Sequence, residues 1–345
     1  MTPPTSQPTK LSLGKVPGDI LKRIVFKLTG ATNPHVLSGP SIGQDAAVIE
    51  YQGKLLVAKS DPISGAENNV GWLAVHINAN DIAVRGAKPL FYLSIIMLPE
   101  NSDSSTLEEV CKGIDFAAKE LDVSVVGGHT EVTSAVSRPV LCGTMIGEAS
   151  RNKIILTSGA KIGDTIIVTK NVALEGTAII ASDRYNELRG ALGDKLLRQS
   201  QWFKTRISVV KEALAAADTG FVNCMKDPTE GGLLQALNEI AEASKVGYSI
   251  DERLVPIEEE TKRICENLQL DPLKLISSGM LVVTVPEQKE KRVIEKINGV
   301  GVKAAKIGTI KSKGRTARRL SGKTEKVEEF VTEELWRALK ATARK

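Results

Sequence analysis

Five short segments of the chain place an acidic residue near glycine, alanine, asparagine or proline. In chain order they are GQDAAV at Asp45, KSDP at Asp61, NANDIAVRGAKP at Asp81, GGHTEV at Glu131 and MKDPTEGGL at Asp227. Carboxylate oxygens beside small residues, where the backbone can approach a ligand, suit a hard cation and the phosphates that it binds. A single Asp in a loop is more often a turn or a helix cap, so it is the series that predicts one magnesium-nucleotide site.

Several other catalytic signatures are missing from the sequence. It contains no GxxxxGK[ST] phosphate loop, no HExxH helix and no calcium-loop spacing, and its only imidazoles are those of His35, His76 and His129. The four cysteines form no CxxC pair, and their apolar or helical surroundings predict buried thiols. Zinc and disulfide interpretations are therefore less favoured than magnesium chemistry.

The ordered acidic segments resemble those of the superfamily that contains aminoimidazole ribonucleotide synthetase, selenophosphate synthetase, thiamine-monophosphate kinase and the hydrogenase-maturation protein HypE. The HypE branch is the most similar, through the segments LSLGKVP, NDIAVRGAKP, KDPTEGGL and CENLQLDPLKLISSGMLVV. The resemblance covers roughly residues 11–310. It implies that the protein uses Mg²⁺ and ATP.

The resemblance also implies an α/β (α+β) fold of two domains. We expect a disordered tail at 1–10, an N-terminal ATP-binding and dimerisation domain with a mixed sheet at 11–153, and a C-terminal domain of a sheet with helices at 154–345. In the resembling family the first-half sheets of two subunits join into a barrel with nucleotide at or near the junction. We therefore expect a homodimer.

Roles for individual residues follow from the resemblance, which carries Asp45, Asp61, Asp81 and Asp227, and from the chemistry of the other residues. The predicted catalytic residues are Asp81, His129 and Asp227, and the predicted metal ligands are Asp45, Asp61, Asp81, Glu131 and Asp227. The predicted nucleotide contacts are Asn80, Gly127, Gly128, Thr130, Gly231 and Gly232. Gly231 and Gly232 open a helix, whose first backbone amides favour an anion such as phosphate. A helix cap made by Asp227 or Thr229 is the structural alternative.

Three positions depart from the family pattern. Gln44 replaces the first of two aspartates, and Glu230 replaces an arginine of the HypE pattern. His129 stands where HypE has Asp and aminoimidazole ribonucleotide synthetase has Glu, and imidazole is a poorer magnesium ligand than a carboxylate. Either Glu131 substitutes as a ligand, or His129 acts as an acid or base near the phosphate, or His129 makes a structural hydrogen bond.

The C-terminal sequence also differs from that of HypE. HypE proteins end in a cysteine that is carbamoylated and then dehydrated to a thiocyanate, whereas this sequence ends in ALKATARK and has no cysteine beyond Cys265. We therefore expect a HypE-like relative with a different acceptor, which does not take a carbamoyl group on its own C-terminus.

Hydrophobic periodicity predicts strands at 46–51 and 55–59, joined by Gln52-Gly53 as a hairpin that brings Asp45 and Asp61 close together. Helical spacing over 71–85 places Asn80 and Asp81 inside a helix. The other predicted strands are 91–98, 123–126, 139–148, 165–169, 222–225, 280–285 and 304–310. The other predicted helices are 17–28, 106–121, 177–183, 208–217, 233–244, 258–268, 287–297 and 327–339.

Length and composition agree with this organisation. A chain of 345 residues with 42% hydrophobic and 25% charged residues is typical of a soluble protein of about two domains. No stretch approaches 18 uninterrupted apolar residues, and the first ten lack the apolar run of a signal peptide, so we expect a cytoplasmic protein with no membrane partner. The modest net charge of +5 does not favour nucleic acid as a partner.

Two hypotheses follow for the function. In the first, Mg²⁺ neutralises the polyphosphate of ATP while an amide or acyl oxygen, or a phosphate acceptor, attacks the γ-phosphoryl group. The acceptor, a small molecule or a protein, is not identified by the sequence. In the second, the chain is a non-catalytic nucleotide-binding maturation or regulatory partner that kept the fold and lost turnover.

Overall fold

The computed structural model of the protein describes residue 16 and residues 18–63 and 69–340. Within these ranges the chain forms two domains, each built on one sheet with helices packed against it, which is the α/β (α+β) organisation that the sequence predicts. The predicted tail at 1–10 lies outside the described residues. None of the helices in these ranges has the length and apolar character that a membrane span requires.

The described part of the first domain contains six strands and three helices. The strands are β1 (Val36–Ser38), β2 (Ala47–Tyr51), β3 (Lys54–Ile63), β4 (Lys88–Pro99), β5 (Ser124–Thr133) and β6 (Val140–Ala149). The helices are α1 (Gly18–Arg23), α2 (Val70–Ala83) and α3 (Ser104–Glu120). The sheet order is β1-β2-β3-β6-β4-β5, with β4 and β5 parallel and the other neighbours antiparallel. Strand β5 is therefore an edge of the sheet.

Helix α2 is covered on almost every side. Twelve of its 14 residues are buried, between the sheet, α3 and the second domain. Gly71 permits the close approach of α3, since a Cβ there would lie 2.1 Å from the carbonyl oxygen of Val110. Such burial carries Asn78, Asn80 and Asp81 into the interior, where each polar side chain needs a partner.

The first sheet has one covered face and one open face. Leu55 and Val57 of β3 are buried on the side of α2, as the two-residue period of a strand requires. On the other face apolar side chains stay partly exposed, with exposed fractions of 44% for Phe91 and 45% for Ile95. An open apolar sheet face is typical of a surface that another protein covers.

The second domain contains seven strands and eight helices in the described ranges. The strands are β7 (Thr165–Thr169), β8 (Cys224–Lys226), β9 (Gly247–Asp251), β10 (Val282–Val285), β11 (Ala304–Lys311), β12 (Arg315–Arg318) and β13 (Thr324–Lys326). The helices are α4 (Leu174–Asp183), α5 (Tyr185–Leu192), α6 (Asp194–Gln201), α7 (Val210–Ala217), α8 (Gly232–Ser244), α9 (Glu259–Leu268), α10 (Glu290–Asn298) and α11 (Glu334–Lys340). The sheet order is β13-β12-β9-β11-β7-β10-β8.

Side chains of α2 and of the turn after it join the two domains. The amide of Asn80 donates to the carbonyl of Ile207 at 3.0 Å, and its oxygen accepts from the N–H of Val209 at 2.8 Å. Both polar side-chain atoms of Asn80 are bonded to the second domain, and its predicted nucleotide contact stays a prediction. The residue therefore positions α2 against the segment that leads into α7.

Some predicted elements differ from the observed ones. Strand β3 extends to Ile63, so Asp61 lies inside a strand and not after it, and β5 extends to Thr133, which takes GGHTEV into the sheet. The helix predicted over 17–28 ends at Arg23 and is followed by a short 3-10 turn. Helices α5 and α6 and strands β1, β9, β12 and β13 were not predicted. Among the predicted buried thiols, that of Cys111 is exposed.

The helix predicted over 327–339 is wrong for most of its length, since only Glu334–Lys340 is helical. The backbone groups before it bond to α8 instead of to one another. Val331 donates its N–H to Gln235, and the carbonyl of Glu328 accepts from the side chain of Asn238. The C-terminal segment therefore packs on the second domain largely without helical hydrogen bonds.

Replacement of Asn80 by alanine tests the domain junction. The variant leaves the buried backbone groups of Ile207 and Val209 without a partner, and each such group costs about 1–3 kcal/mol. We expect its melting temperature to fall by several degrees in thermal unfolding. Asn298→Ala is the control, because it removes only an exposed bond to Ala304. Equal melting temperatures for Asn80→Ala and the wild type would contradict this role.

Candidate functional site

Three carboxylates from separate parts of the chain meet at the junction of the two domains. Asp45 lies in the loop before β2, Asp81 lies near the end of α2, and Asp227 directly follows β8. One oxygen of each lies within 4.8 Å of the others. All three residues are buried, with exposed fractions of 7%, 5% and 3% respectively. These three of the predicted ligands therefore converge.

Two buried cations hold Asp45. Arg85 donates to one oxygen of Asp45 at 2.5 Å and also to the hydroxyl of Thr157, and Lys226 pairs with the other oxygen of Asp45. Lys226 also pairs with Glu239 of α8 at 2.9 Å. Burial alone would lower the pKa of Lys226, but the neighbouring carboxylates, Asp45 first, raise it well above its ordinary value. The charge of Asp45 is thus already balanced by side chains.

A lysine with no predicted role, Lys59, lies between two of the predicted ligands. Lys59 Nζ is 3.1 Å from Asp61 Oδ1 and 3.3 Å from Asp81 Oδ2. Burial alone would lower the pKa of Lys59, but the carboxylates of Asp81, Asp61 and Asp45 raise it above its ordinary value. The signal that could have revealed Lys59 is its place two residues before Asp61, on the same face of a strand.

Asp61 reaches the cluster through this lysine. It is not one of the three converging carboxylates, and its side chain is 34% exposed. Its backbone N–H donates to the side chain of Asn78 on α2 at 2.9 Å. Asp61 is thus fixed beside the three carboxylates, on the more open side of the site.

The buried carboxylates of Asp81 and Asp227 each have one oxygen that receives no hydrogen bond in the described part of the chain. Among the described residues none donates a hydrogen bond to Asp227 Oδ1, to Asp81 Oδ2 or to the amide oxygen of Gln44. Burial raises the pKa of Asp81 well above its usual value and that of Asp227 to about 6, and neighbouring carboxylates add to both effects. Lys59 Nζ lies 3.3 Å from Asp81 Oδ2, but these buried oxygens receive no hydrogen bond, and such oxygens fit Mg²⁺, which prefers oxygen ligands.

The GGHTEV segment lies apart from these carboxylates. Two strands, β6 and β4, separate β5 from β3, which carries Asp61. At the usual strand spacing the distance from β3 to β5 is about 14 Å. His129 Nε2 lies 3.4 Å from Glu131 Oε2, and both side chains are exposed. Within one chain Glu131 therefore does not join the cluster, and its role as a metal ligand and the role of His129 stay predictions.

Close packing of β5 against β4 explains the glycine at position 128 of this segment. The φ of Gly128 is 150°, and a Cβ there would lie 1.9 Å from the carbonyl oxygen of Ser94 on β4. The register of β4 and β5 shifts at this point, between Tyr92 and Leu93. The nucleotide contacts proposed for Gly127, Gly128 and Thr130 are not tested by this geometry and stay predictions.

A carboxylate of the chain itself lies at the start of α8, where the sequence predicted a phosphate cradle. The N–H of Gly231 donates to Glu333, whose other oxygen accepts from the N–H of Ile276 at 3.1 Å. A Cβ on Gly232 would lie 2.6 Å from the carbonyl oxygen of Leu275, so close packing explains that glycine. The helix start does attract an anion, which is here Glu333. Phosphate contacts of Gly231 and Gly232 stay predictions.

The segment GPSIG at 39–43 fits the GxSxG pattern of serine hydrolases. A nucleophile elbow needs a strand followed by a tight turn and a helix. This segment instead connects β1 to β2. The pattern therefore lacks the context that would give Ser41 a catalytic role.

Comparison with known proteins identifies two family domains in the chain. Residues 43–149 match the N-terminal domain of AIR synthase related proteins, and residues 161–321 match their C-terminal domain. The first match contains Asp45, Asp61 and Asp81, and the second contains Asp227. The three converging carboxylates are thus contributed by both family domains.

Individual relatives agree with this assignment. The chain is 32% identical to a protein of Methanocaldococcus jannaschii named for hydrogenase expression and formation, over 82% of this chain and 83% of that protein. It is 30% identical to the carbamoyl dehydratase HypE of Rhizobium leguminosarum bv. viciae, over 78% and 77% of the two chains. A crystal structure of the hydrogenase maturation protein HypE in complex with ATP has the same fold, with a TM-score of 0.70, 24% identity and 91% of each chain covered.

The raised pKa of Asp227 predicts how stability depends on pH when metal is absent. A carboxyl group whose pKa is higher in the folded protein binds its proton more tightly there, so its stabilising effect is present below the ordinary pKa of 3.8 and is lost as the pH rises through about 6. Between about pH 4 and pH 7.5 in EDTA, we expect the wild type to lose on the order of 2 kcal/mol relative to Asp227→Asn.

Denaturant unfolding of both proteins at the two pH values measures this difference. The Asp227→Asn side chain does not titrate, so it serves as the reference for all the other carboxyl groups. The same change in unfolding free energy with pH in both proteins would contradict the prediction.

Proposed function

Because this chain belongs to the AIR synthase related family, we propose that it is a magnesium- and ATP-dependent enzyme whose nucleotide binds where the two domains meet. The observation that carries the proposal is the pair Asp81 and Asp227, two buried carboxylates with raised pKa values and oxygens that receive no hydrogen bond. A nearby cation would stabilise their ionised forms. The ATP complex of HypE supports a nucleotide as the ligand.

The formal charge of the site supports one divalent ion. Five carboxylates lie beside three cationic side chains, which leaves a charge of −2 when all of them are ionised. The carboxylates are Asp45, Asp61, Asp81, Asp227 and Glu239, and the cations are Lys59, Arg85 and Lys226. One Mg²⁺ would balance this charge.

In this proposal the side chains act mainly by position and charge. Asp81 and Asp227 would hold Mg²⁺, with Asp45 and Asp61 beside them, and the bound ion would neutralise the polyphosphate. Arg85 and Lys226 keep Asp45 in place. Because Asp81 and Asp227 belong to different domains, the site depends on the packing of α2 against the second domain.

The proposed reaction is attack on the γ-phosphoryl group by an amide or acyl oxygen, or by a phosphate acceptor. The relative named carbamoyl dehydratase supports an amide-like acceptor. Incubation with Mg²⁺ and ATP tests turnover: formation of ADP by the wild type that is lost in Asp81→Asn supports an enzyme. Tight nucleotide binding with no ADP after long incubation would favour a non-catalytic maturation or regulatory partner.

Asp81→Asn tests the metal site itself. The change removes one charge and keeps the size of the side chain, so we expect Mg²⁺-AMPPNP to bind about tenfold more weakly or worse, with little change in melting temperature. Isothermal titration calorimetry measures the affinity. Asp122→Asn is the matched control, because it removes only an exposed ion pair with Lys88. Equal affinity of Asp81→Asn and the wild type, or binding without any divalent ion, would sink the proposal.

We further propose that the open face of the first sheet forms a homodimer. Its apolar side chains Phe91 and Ile95 of β4 are 44% and 45% exposed in the single chain. A second copy of the same face could cover them. Such an arrangement would also place β5 of one protomer beside the sheet of the other.

Ile95→Glu tests this interface. A charge in the middle of the buried face would cost several kcal/mol, so we expect a monomer at micromolar concentration by light scattering, where the wild type is a dimer. Leu320→Glu, at a residue that is 66% exposed on the second domain, should remain a dimer. A monomeric wild type, or a dimeric Ile95→Glu, would contradict the proposed interface.

A further inference from the structure

We propose that the ammonium group of Lys59 occupies a second cation position of this site, between Asp61 and Asp81, and so limits the protein to one bound divalent ion. This inference rests on the proposed magnesium-nucleotide site. The inference adds to that site a role for Lys59, which lies between the proposed ligands and is not one of them. The observation that carries it is the pair of contacts from Lys59 Nζ, 3.1 Å to Asp61 and 3.3 Å to Asp81.

The ammonium and a metal ion would compete for the same oxygens. A magnesium ion shared by Asp61 and Asp81 would need their oxygens at about 2.0–2.1 Å. The nitrogen of Lys59 already lies between Asp61 Oδ1 and Asp81 Oδ2. An ion could enter this position only if the lysine left it.

The surrounding structure holds Lys59 in this position. Its side chain is 23% exposed, and its backbone is held in the middle of the sheet, where β3 pairs with β6 opposite Met145. An ammonium group has three N–H donors, and its ion pairs with the two aspartates engage at most two of them. The third remains for a phosphate oxygen of the bound nucleotide.

The other carboxylates leave room for one divalent ion. Arg85 and Lys226 already neutralise Asp45, and Lys59 contacts Asp61 and Asp81, which leaves Asp227 as the carboxylate that forms no salt bridge with the described residues. The formal charge of −2 is matched by a single Mg²⁺. Loss of the Lys59 charge would change the formal charge of the site from −2 to −3. It would also free Asp61 Oδ1 and Asp81 Oδ2 together.

Manganese binding to Lys59→Met tests the inference. Electron paramagnetic resonance counts the Mn²⁺ ions bound per chain, both with Mn²⁺ alone and with saturating AMPPNP. With AMPPNP we expect one Mn²⁺ per chain in the wild type and two in Lys59→Met. With Mn²⁺ alone we expect Lys59→Met to bind at least about tenfold more tightly than the wild type.

Two further variants serve as controls. Lys59→Arg keeps the positive charge and should keep the wild-type stoichiometry. Lys54→Met removes a charge from the same strand, at an exposed side chain that pairs with Glu148, and should also behave as the wild type. Thermal unfolding of each variant verifies that it is folded before its ions are counted.

The outcomes separate this inference from the proposed function. Failure of the wild type to bind AMPPNP with Mn²⁺ would refute the proposed function, while a gain of Mn²⁺ binding in Lys59→Met would still support the role of the lysine. Equal Mn²⁺ stoichiometry and affinity in Lys59→Met and the wild type would overturn the inference alone.

A count of bound Mn²⁺ in the wild type does not depend on whether Lys59→Met folds correctly. Anomalous diffraction from wild-type crystals soaked in MnCl₂ and AMPPNP should give one protein-bound Mn²⁺ peak, next to Asp81 and Asp227. A second Mn²⁺ peak between Asp61 and Asp81, with Lys59 displaced, would overturn the inference.

Discussion

Carboxylates buried at a domain junction need positive charge beside them, and this requirement organises the structure around α2. An unpaired charge in a protein interior costs several kcal/mol, so such groups either find a cation or take up a proton. Asp45 has Arg85 and Lys226, whereas Asp81 and Asp227 have raised pKa values and oxygens without donors. Without a metal ion, the protein therefore has too little positive charge beside Asp81 and Asp227.

The position of this charge deficit depends on how the domains pack. Asp81 is rigidly placed because α2 is buried between the first sheet, α3 and the second domain, and because Asn80 on the same helix bonds the backbone next to α7. Asp227 follows β8 in the other sheet. A ligand that binds both carboxylates would therefore also stabilise the contact between the two domains.

The sequence predicts much of this arrangement, since the acidic segments, the helix over 71–85 and most strands carry local signals. Lys59 has a local signal in Asp61, two residues later on the same strand face, but Arg85 and Lys226 could not be predicted, because a basic residue shows no local sign of which distant carboxylate it will contact. The error at 327–339 has a similar cause: the spacing fits a helix, but Asn238 and Gln235 of α8 bind the backbone instead. The pairing of these basic residues and the backbone conformation of 327–339 depend on tertiary contacts, which no local sequence pattern indicates.

The most direct test of the account is the number of protons released when Mg²⁺-AMPPNP binds. Because burial and neighbouring charges raise the pKa of Asp81 and Asp227, a cation that takes their oxygens must displace protons. Calorimetry near pH 6 in buffers of different ionisation enthalpy measures this number for the wild type and for Asp227→Asn. We predict a net release by the wild type that is smaller in Asp227→Asn. Binding with no proton release, or with equal release by both proteins, would contradict the account.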